Sequence, residues 1–485
     1  MTPELSQFFL AHLTLEAVTP LSIAAGGADG VFDVTLARDA NGLPTLPGPS
    51  IGGVLRHLYW ELYGKEGMES LFGFQKRDQG EPSRLHFSWG AIQDSKGHLV
   101  ERLLLGQAGK DRLKDLLLKT ALATQDFPVT RDRVRIGHKG AAAHMGKFDR
   151  AVLPAGYRFS AEISLWSDQP DDPRWRQVLG LLCHPLFRLG GGTRAGLGRI
   201  AAVSIHAGGF DLKTEQGRKD FSALGQGLDK SAGLKKLELN GHSEGSRFLT
   251  ADLTLKPHSF WRIGQGDNPR LKDSNGKPAD LLPKLESCVI WNDQGEGDAG
   301  QAELLIPGSS LKGALAHRFA FHANRLAQRW AEDLLPGKPD YDKSTDCEEV
   351  ANLFGTARDD KTKGDNGPAG QAGKLFIDDA FLSFTGRDLK LMMHNAIDRF
   401  TGGVREHMLF MEEMVWKKEI KVSLTLDTKG VTENARTALR HALDDLCHGR
   451  IAIGGGAAKG HGFCDGTIQW SDKGQWINHS SQEAA

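Results

Sequence analysis

TLPGPSIGGVL at Thr45–Leu55 returns 260 residues later as LIPGSSLKGAL at Leu305–Leu315, with five of the eleven positions identical. Other pairs follow in the same order. HLTLEAVTPLSIAAGG (12–27) resembles FLTADLTLKPHSFWRIGQG (248–266), and LFG recurs at 71–73 and 353–355. LHFSWGAI (85–92) matches LFIDDAFL (375–382), and RDRVRIGHKGAAA (131–143) matches IDRFTGGVRE (397–406). RLGGGTRAGLGRI (188–200) matches IAIGGGAAKGHGF (451–463). A period above 200 residues means tandem homologous domains rather than solenoid units. The chain divides into a first domain, 1–207, a polar glycine-rich linker, 208–245, and a second domain, 246–485. Its 485 residues exceed what one ordinary core holds.

Each half mixes two rhythms. HLTLEAV and FLTADLTL alternate apolar and polar, as half-buried strands do. Helical spacing follows in Ile51, Val54, Leu55, Leu58 and Leu62, and in Leu311, Leu315, Phe319 and Leu326. Strands return at 85–92 and 375–382, then at 159–166 and 419–426, with helices at 172–187 and 432–447. The order strand, helix, strand, excursion, strand, helix, strand predicts an α+β fold of two ferredoxin-like (RRM-like) domains. The second domain carries extra insertions at Asp267–Glu303 and Thr356–Gly373, the latter of disorder-like composition.

Composition narrows the function. Hydrophobic residues make up 39% and charged residues 25%, with a formal net charge of −1, so any contact with nucleic acid comes from local patches. Glycine, 59 residues, is about twice its usual share and marks many turns. Five scattered cysteines form no CxxC pair, which argues against zinc and fits a cytoplasmic protein. No signal peptide and no membrane span is expected.

Three segments could carry chemistry. In the PGxS turns, Ser50 or Ser310 could cap the helix, whose free N–H groups would receive an anion, with Lys312 beside them. A capped helix behind a tight turn explains either copy alone; the repeat favours phosphate. The glycine-rich loops LGGGTRAGLGR and IGGGAAKGHG let backbone approach a phosphate ribbon, with Arg194, Arg199 and Lys459 supplying charge. The excursion 129–152 offers Arg131, Arg133, Arg135 and Lys139, and a solvated hairpin face is its plainer reading. Its partner, 395–419, is richer in Met and aromatics that can stack on bases.

PGSSLKG, LFG, the LxFxDAFL-like strand, the IDR segment and the late GGxxxxGxG loop together resemble the RAMP superfamily. More narrowly, they resemble backbone subunits of type III CRISPR effector complexes, here as two fused copies over nearly all of the chain. Such double subunits are similar to the III-D variants. The resemblance implies an inserted thumb and a glycine-rich loop in each domain, and CRISPR RNA, target RNA and other effector subunits as partners. It adds Arg56, Ser309 and Arg399 to the expected RNA contacts. It also implies target-RNA cleavage by an aspartate in the loop before the turn. Asp33 of VFDVTLARDANG matches that position; in the second domain Glu286 of LESCVIWND is the best match, a departure from the usual Asp at a longer spacing, with Asp293 and Asp298 as nearby alternatives. Asp33 would also bind a divalent metal, Mg²⁺ or Mn²⁺, which hard oxygen ligands favour. RNA supplies its own nucleophile, the 2′-OH, so the expected products are a 2′,3′-cyclic phosphate and a 5′-hydroxyl. The first turn departs from the pattern, with Gly52 where the second has Lys312. Two other readings remain: a crRNA-binding scaffold that cuts nothing, and a stand-alone precursor-RNA endonuclease using His57 or His138.

Overall fold

The structure is a computed structural model that describes residues 5–24, 34–137, 140–228, 231–238, 247–264, 266–330, 332, 347–356, 370–406 and 408–479. Asp33, His138, Lys139 and most of the Thr356–Gly373 insertion lie outside the described residues.

The chain builds the same mixed α/β unit twice. In the first half, β1 (Gln7–Ala17), α1 (Gly48–Tyr63), β2 (Leu85–Phe87), β3 (Arg158–Ser167), α2 (Pro173–Gly180) and β4 (Ile200–Asp211) follow in order. The sheet runs β2-β3-β1-β4, every pair antiparallel. In the second half, β5 (Phe248–Pro257), α3 (Gly308–Leu326), β6 (Leu375–Ile377), β7 (Ile420–Asp427), α4 (Glu433–Cys447) and β8 (Phe463–Trp470) give β6-β7-β5-β8, again antiparallel.

One face of each sheet carries its two helices. Ile51, Leu55, Leu58 and Tyr59 are the buried stripe of α1 and join Leu13, Leu15, Val178 and Leu179 in one core. Leu311, Leu315 and Phe319 of α3 do the same with Leu253, Leu255, Leu439 and Leu443. Among the described residues, no helix is long and apolar enough to cross a membrane.

Several boundaries differ from the sequence expectation for local reasons. The helix expected over 172–187 ends early, at Gly180, and a short 3₁₀ turn, Leu181–Cys183, follows it. Pro185 forces His184 into extended backbone (ψ 137°). Each strand expected at 85–92 and 375–382 is interrupted, at Ser88–Trp89 in one and at Asp378–Asp379 in the other. The stretch expected as a linker holds the end of β4, a helix at Glu215–Ser222 and a short strand, Lys235–Lys236, paired to β4.

The second half sends a long hairpin, Leu285–Trp291 and Gly297–Ile306, across the first. Val289 N–H donates to Ala155 O (2.9 Å), and Gly297 N–H donates to Ser95 O (2.7 Å). Trp291 Nε1–H donates to Gly156 O (2.7 Å), and the Arg158 guanidinium lies 4.2 Å from the Trp291 ring centre. Val289 thereby joins the first unit's core.

Candidate nucleic-acid interface

Both PGxS turns press their glycine against the broken strand. A Cβ on Gly48 would lie 2.4 Å from Phe87 O, and one on Gly308 would lie 2.2 Å from Ile377 O. Only glycine permits that approach. The helices start one turn earlier than the serine-cap expectation. Pro47 and Pro307 are the N-caps, neither makes a side-chain cap bond, and Ser50 and Ser310 lie inside the first turn. In the second unit Asp379 does the capping instead, its Oδ1 accepting from Gly308 N–H at 2.8 Å.

The glycine-rich loop of the first unit packs directly on that turn. Asp379 N–H donates to Gly196 O (3.1 Å), and a Cβ on Gly196 would fall 1.7 Å from Asp379 Oδ1. Four arginines of the first unit hold the second. Arg131 bridges Glu286 (2.6 Å) and Asp379 (3.1 Å), all three buried. Arg188 and Arg199 share Asp378. Arg194 Nε–H donates to Gly373 O (2.5 Å), and its guanidinium stacks 4.9 Å from the Phe376 ring. Burial pushes the Glu286 and Asp379 carboxyls up from their ordinary range, and Arg131 works against that shift. Arg131, Arg194 and Arg199, expected on RNA, are thus spent at least partly within the chain, and Glu286 is enclosed rather than presented. Of these three arginines, Arg199 keeps the most exposure, at 44% of its side chain.

What the joint leaves open is a notch of about 110 Å³ lined by Arg131, Arg133, Lys284, Ser309 and Ser310, together with the carboxylates of Asp132 and Asp379. Arg133 donates to Ala195 O (3.1 Å), and burial lowers its pKa, with Arg150 adding to the effect. Lys312, behind the turn, is pushed down to about 8 by burial and by Arg194 and Arg133. Its Nζ reaches Leu375 O at 3.4 Å. Desolvated cations repelling one another around a helix start form a site that gains from an anion. The notch exists only because the two units stack.

The other candidates scatter. Arg135 and Arg399 are exposed on the excursions. Arg56 turns to Met68 Sδ (3.1 Å) and Gly73 O (3.4 Å). Lys459 of the second glycine-rich loop lies 5.2 Å above the Phe410 ring and 3.4 Å from His394 Nδ1. Phe410 and His394 stack at 4.9 Å, a platform that composition had indicated only as aromatic-rich.

Equivalent hydrogen bonds fix the register between halves independently of sequence similarity. Ala37 N–H donates to Ile23 O (2.8 Å) as Lys284 N–H does to Ile263 O (3.2 Å). Thr45 N–H donates to Ala37 O (3.1 Å) as Leu305 N–H does to Lys284 O (2.9 Å). Ala151 N–H donates to Val34 O (3.1 Å) as Glu413 N–H does to Leu281 O (2.9 Å). Glu286 therefore matches Asp39, whose Oδ1 closes a turn by accepting from Asn41 and Leu43 N–H (2.8 and 2.9 Å). The residue before Val34 is Asp33, and the residue before Leu281 is Asp280. Pairing Asp33 with Glu286 was displaced because the long hairpin lengthens the second copy: eight residues separate Ala37 from Thr45, but 21 separate Lys284 from Leu305.

Among the described residues, no three His, Cys, Asp or Glu side chains gather where they could hold a metal ion. A search of curated proteins found no match. The cryo-EM structure of the Type III-B Cmr-beta bound to cognate target RNA contains a similar chain, at 12% identity and a TM-score of 0.29. The match covers 41% of this chain and 61% of that one. The family model of the RAMP superfamily matches residues 14–201 and 292–465, one region in each half and well over half of the chain. Two sheets of one strand order, two PGxS turns and two glycine-rich loops thus repeat a single inherited unit, and the chain belongs to the RAMP superfamily.

Proposed function

We propose that this chain is a backbone subunit of a type III CRISPR effector complex, built from two ferredoxin-like units that hold the guide RNA, and that it cleaves complementary target RNA. The strand order in both halves supports the ferredoxin-like reading. The observation that carries the functional reading is the notch at Pro307–Ser310, where Arg131, Arg133 and Lys284 line a helix start beside Ser309 and Ser310, with Asp132 and Asp379 as the carboxylates among its lining. A guide phosphate there accepts from Ser309 and Ser310, and its charge offsets the mutual repulsion of the cations. Arg135 and Arg399 reach the ribose-phosphate chain from the excursions, while Phe410 and His394 offer a stacking surface flanked by Lys459.

Cleavage needs little more than alignment, since the 2′-OH is the nucleophile. Asp33 is the carboxylate for this step in the first unit. Asp33, together with phosphate oxygens and water, would hold Mg²⁺ or Mn²⁺. Such an ion supplies charge stabilisation at the phosphate. The partners are CRISPR RNA, target RNA and other effector subunits, and the compartment is the cytoplasm.

The test is Asp33→Ala in the assembled, guide-loaded complex with end-labelled target. One cut position disappears while target binding is retained; survival of every cut refutes the catalytic reading. That result would favour the scaffold alternative, which draws its support from the engagement of Glu286 by Arg131.

A further inference from the structure

We propose that the outer end of the second unit is an apolar docking face for an effector subunit of different sequence, and that it refuses a second copy of this chain. The inference rests on the backbone-subunit reading above. Because the units share one fold, the surface by which the first holds the second has a counterpart on the second, turned away from the joint. Backbone hydrogen bonds fix the correspondence. Leu189 N–H donates to Gly198 O (2.8 Å) as Ile453 N–H does to Gly462 O (2.9 Å), and Gly191 N–H donates to Ser22 O (2.8 Å) as Gly455 N–H does to Arg262 O (2.9 Å). Arg188, Arg194 and Arg199 therefore correspond to Ala452, Ala458 and Phe463. Ala151 pairs with Thr130 as its counterpart Glu413 pairs with Leu391, so Arg131 corresponds to Met392. Counted from Pro47 and Pro307, Glu61 corresponds to Phe321.

At the joint these first-unit residues work by charge and hydrogen bonding. Arg131, Arg188 and Arg199 take carboxylates, Arg194 takes Gly373 O, and Glu61 accepts from Arg247 (2.9 Å) and Lys429 (3.2 Å). The second unit has an apolar residue at every one of these positions. Met392, Ala452 and Phe463 are partly exposed, and Phe321 is 52% exposed. A neighbour carrying an acidic pair like Asp378 and Asp379 would leave it unpaired against these side chains, which cost heavily when buried. The partner that fits brings an apolar docking edge.

A second copy does not supply that edge. It would dock through its own first unit, where Ser88 and Trp89 stand for Asp378 and Asp379: Ser88 N–H donates to Glu162 O as Asp378 N–H does to Ser423 O, both at 3.0 Å. Charge does not bar this approach, but the backbone does. Val18 N–H donates to Arg199 O (2.9 Å) as His258 N–H does to Phe463 O (2.8 Å), so Phe8 corresponds to Phe248. The Phe248 ring receives His184 of the first unit edge-on at 4.6 Å. Phe8 already receives Phe221 edge-on at 5.2 Å, from the helix Glu215–Ser222, so the chain itself fills that seat. The first unit also lacks the arm, with eight residues from Ala37 to Thr45 against 21 from Lys284 to Leu305. Nor does the second unit offer the arm a landing, since Glu419 stands where Arg158 carries Trp291.

The experiment is native mass spectrometry of the guide-loaded complex assembled from its co-expressed subunits, with sedimentation velocity of the full chain alone. The chain alone stays monomeric up to about 50 µM, and the complex holds one copy per guide. Phe321→Glu with Met392→Arg gives the outer face the residue types of Glu61 and Arg131. Occupancy of the neighbouring subunit should fall about 10-fold or more. The variant's thermal midpoint should stay within about 2 °C of the parent. Phe321→Glu alone, at an exposed helix position, gives the same reading where the double variant is unstable, and Phe321→Leu keeps the neighbour. Two or more copies of this chain on one guide, or oligomers of the chain alone, overturn the proposal and leave the backbone-subunit reading in place. Full occupancy in both charged variants also overturns it. A chain that enters no complex with guide RNA overturns the backbone-subunit reading and this inference with it.

Discussion

Replacing Arg131 with Met tests the joint between the units. The guanidinium is 7% exposed and serves two carboxylates, Glu286 and Asp379, that are 3% and 2% exposed. Methionine fills similar volume but leaves two acids facing each other, with the Gly308 N–H as the bond that remains to Asp379. Breaking a buried pair from one side costs about 3–5 kcal/mol. For a domain of roughly 200 residues, at about 2–4 °C per kcal/mol, the midpoint should fall by roughly 6–20 °C. The assay is thermal and urea unfolding followed by tryptophan fluorescence. The pH dependence has a definite sign. Burial raises both carboxyls above their unfolded values, and loss of Arg131 raises them further. Between the unfolded and folded values the folded chain binds more protons, so stability rises as pH falls through that window. The deficit of Arg131→Met relative to the parent should therefore shrink from pH 7.5 to pH 5.5. A variant within about 1 kcal/mol of the parent at neutral pH, or a deficit that grows on acidification, refutes the reasoning.

Gly196→Ala should loosen the arginine joint, since its Cβ would fall 1.7 Å from Asp379 Oδ1 at a φ of +113°; a lower midpoint in urea unfolding checks it. Gly53→Ala, on the helix face with nothing within 4 Å, should instead stabilise by about 0.5–1 kcal/mol in the same titration. Lys312→Met should gain on the order of 1–3 kcal/mol at pH 7, discounted for partial exposure. Its pKa falls from 10.5 to about 8 on folding, so the unfolded chain binds more protons between those values. The gain should fade as pH rises through that window in urea titrations, and RNA affinity should drop at pH 7, where Lys312 carries its charge. Lys459→Ala should weaken guide binding uniformly across sequences and reduce the salt slope of log K by about 1, read by filter binding at several salt concentrations.

Much of the architecture was legible because it was written twice. The strands around Leu13 and Leu253 declared themselves by alternation, and the helices by the spacing of Ile51, Leu55 and Leu58 and of their counterparts. Less legible was anything decided between units. Arg131, Arg194 and Arg199 look like RNA contacts in a linear sequence because charge alone does not say whether its partner is a phosphate or a carboxylate 248 residues away. The equivalence of Glu286 also misled, since a lengthened hairpin shifts the count from the PGxS turn while leaving the backbone bonds in place. The Ser50 and Ser310 caps failed because the prolines at 47 and 307 start the helices first.

The hairpin that reaches from the second unit into the first has a metrical consequence. Its backbone bonds to Ser95 and Ala155, with Val289 in the neighbour's core, fasten the units at a place remote in sequence from the arginine joint. Two anchorages suppress both sliding and hinge rotation, so the distance from one turn to the other becomes a property of the fold rather than of assembly conditions. Any two events performed by the units on one strand of RNA would then be spaced by a ruler cast in the polypeptide, indifferent to how many neighbours are attached.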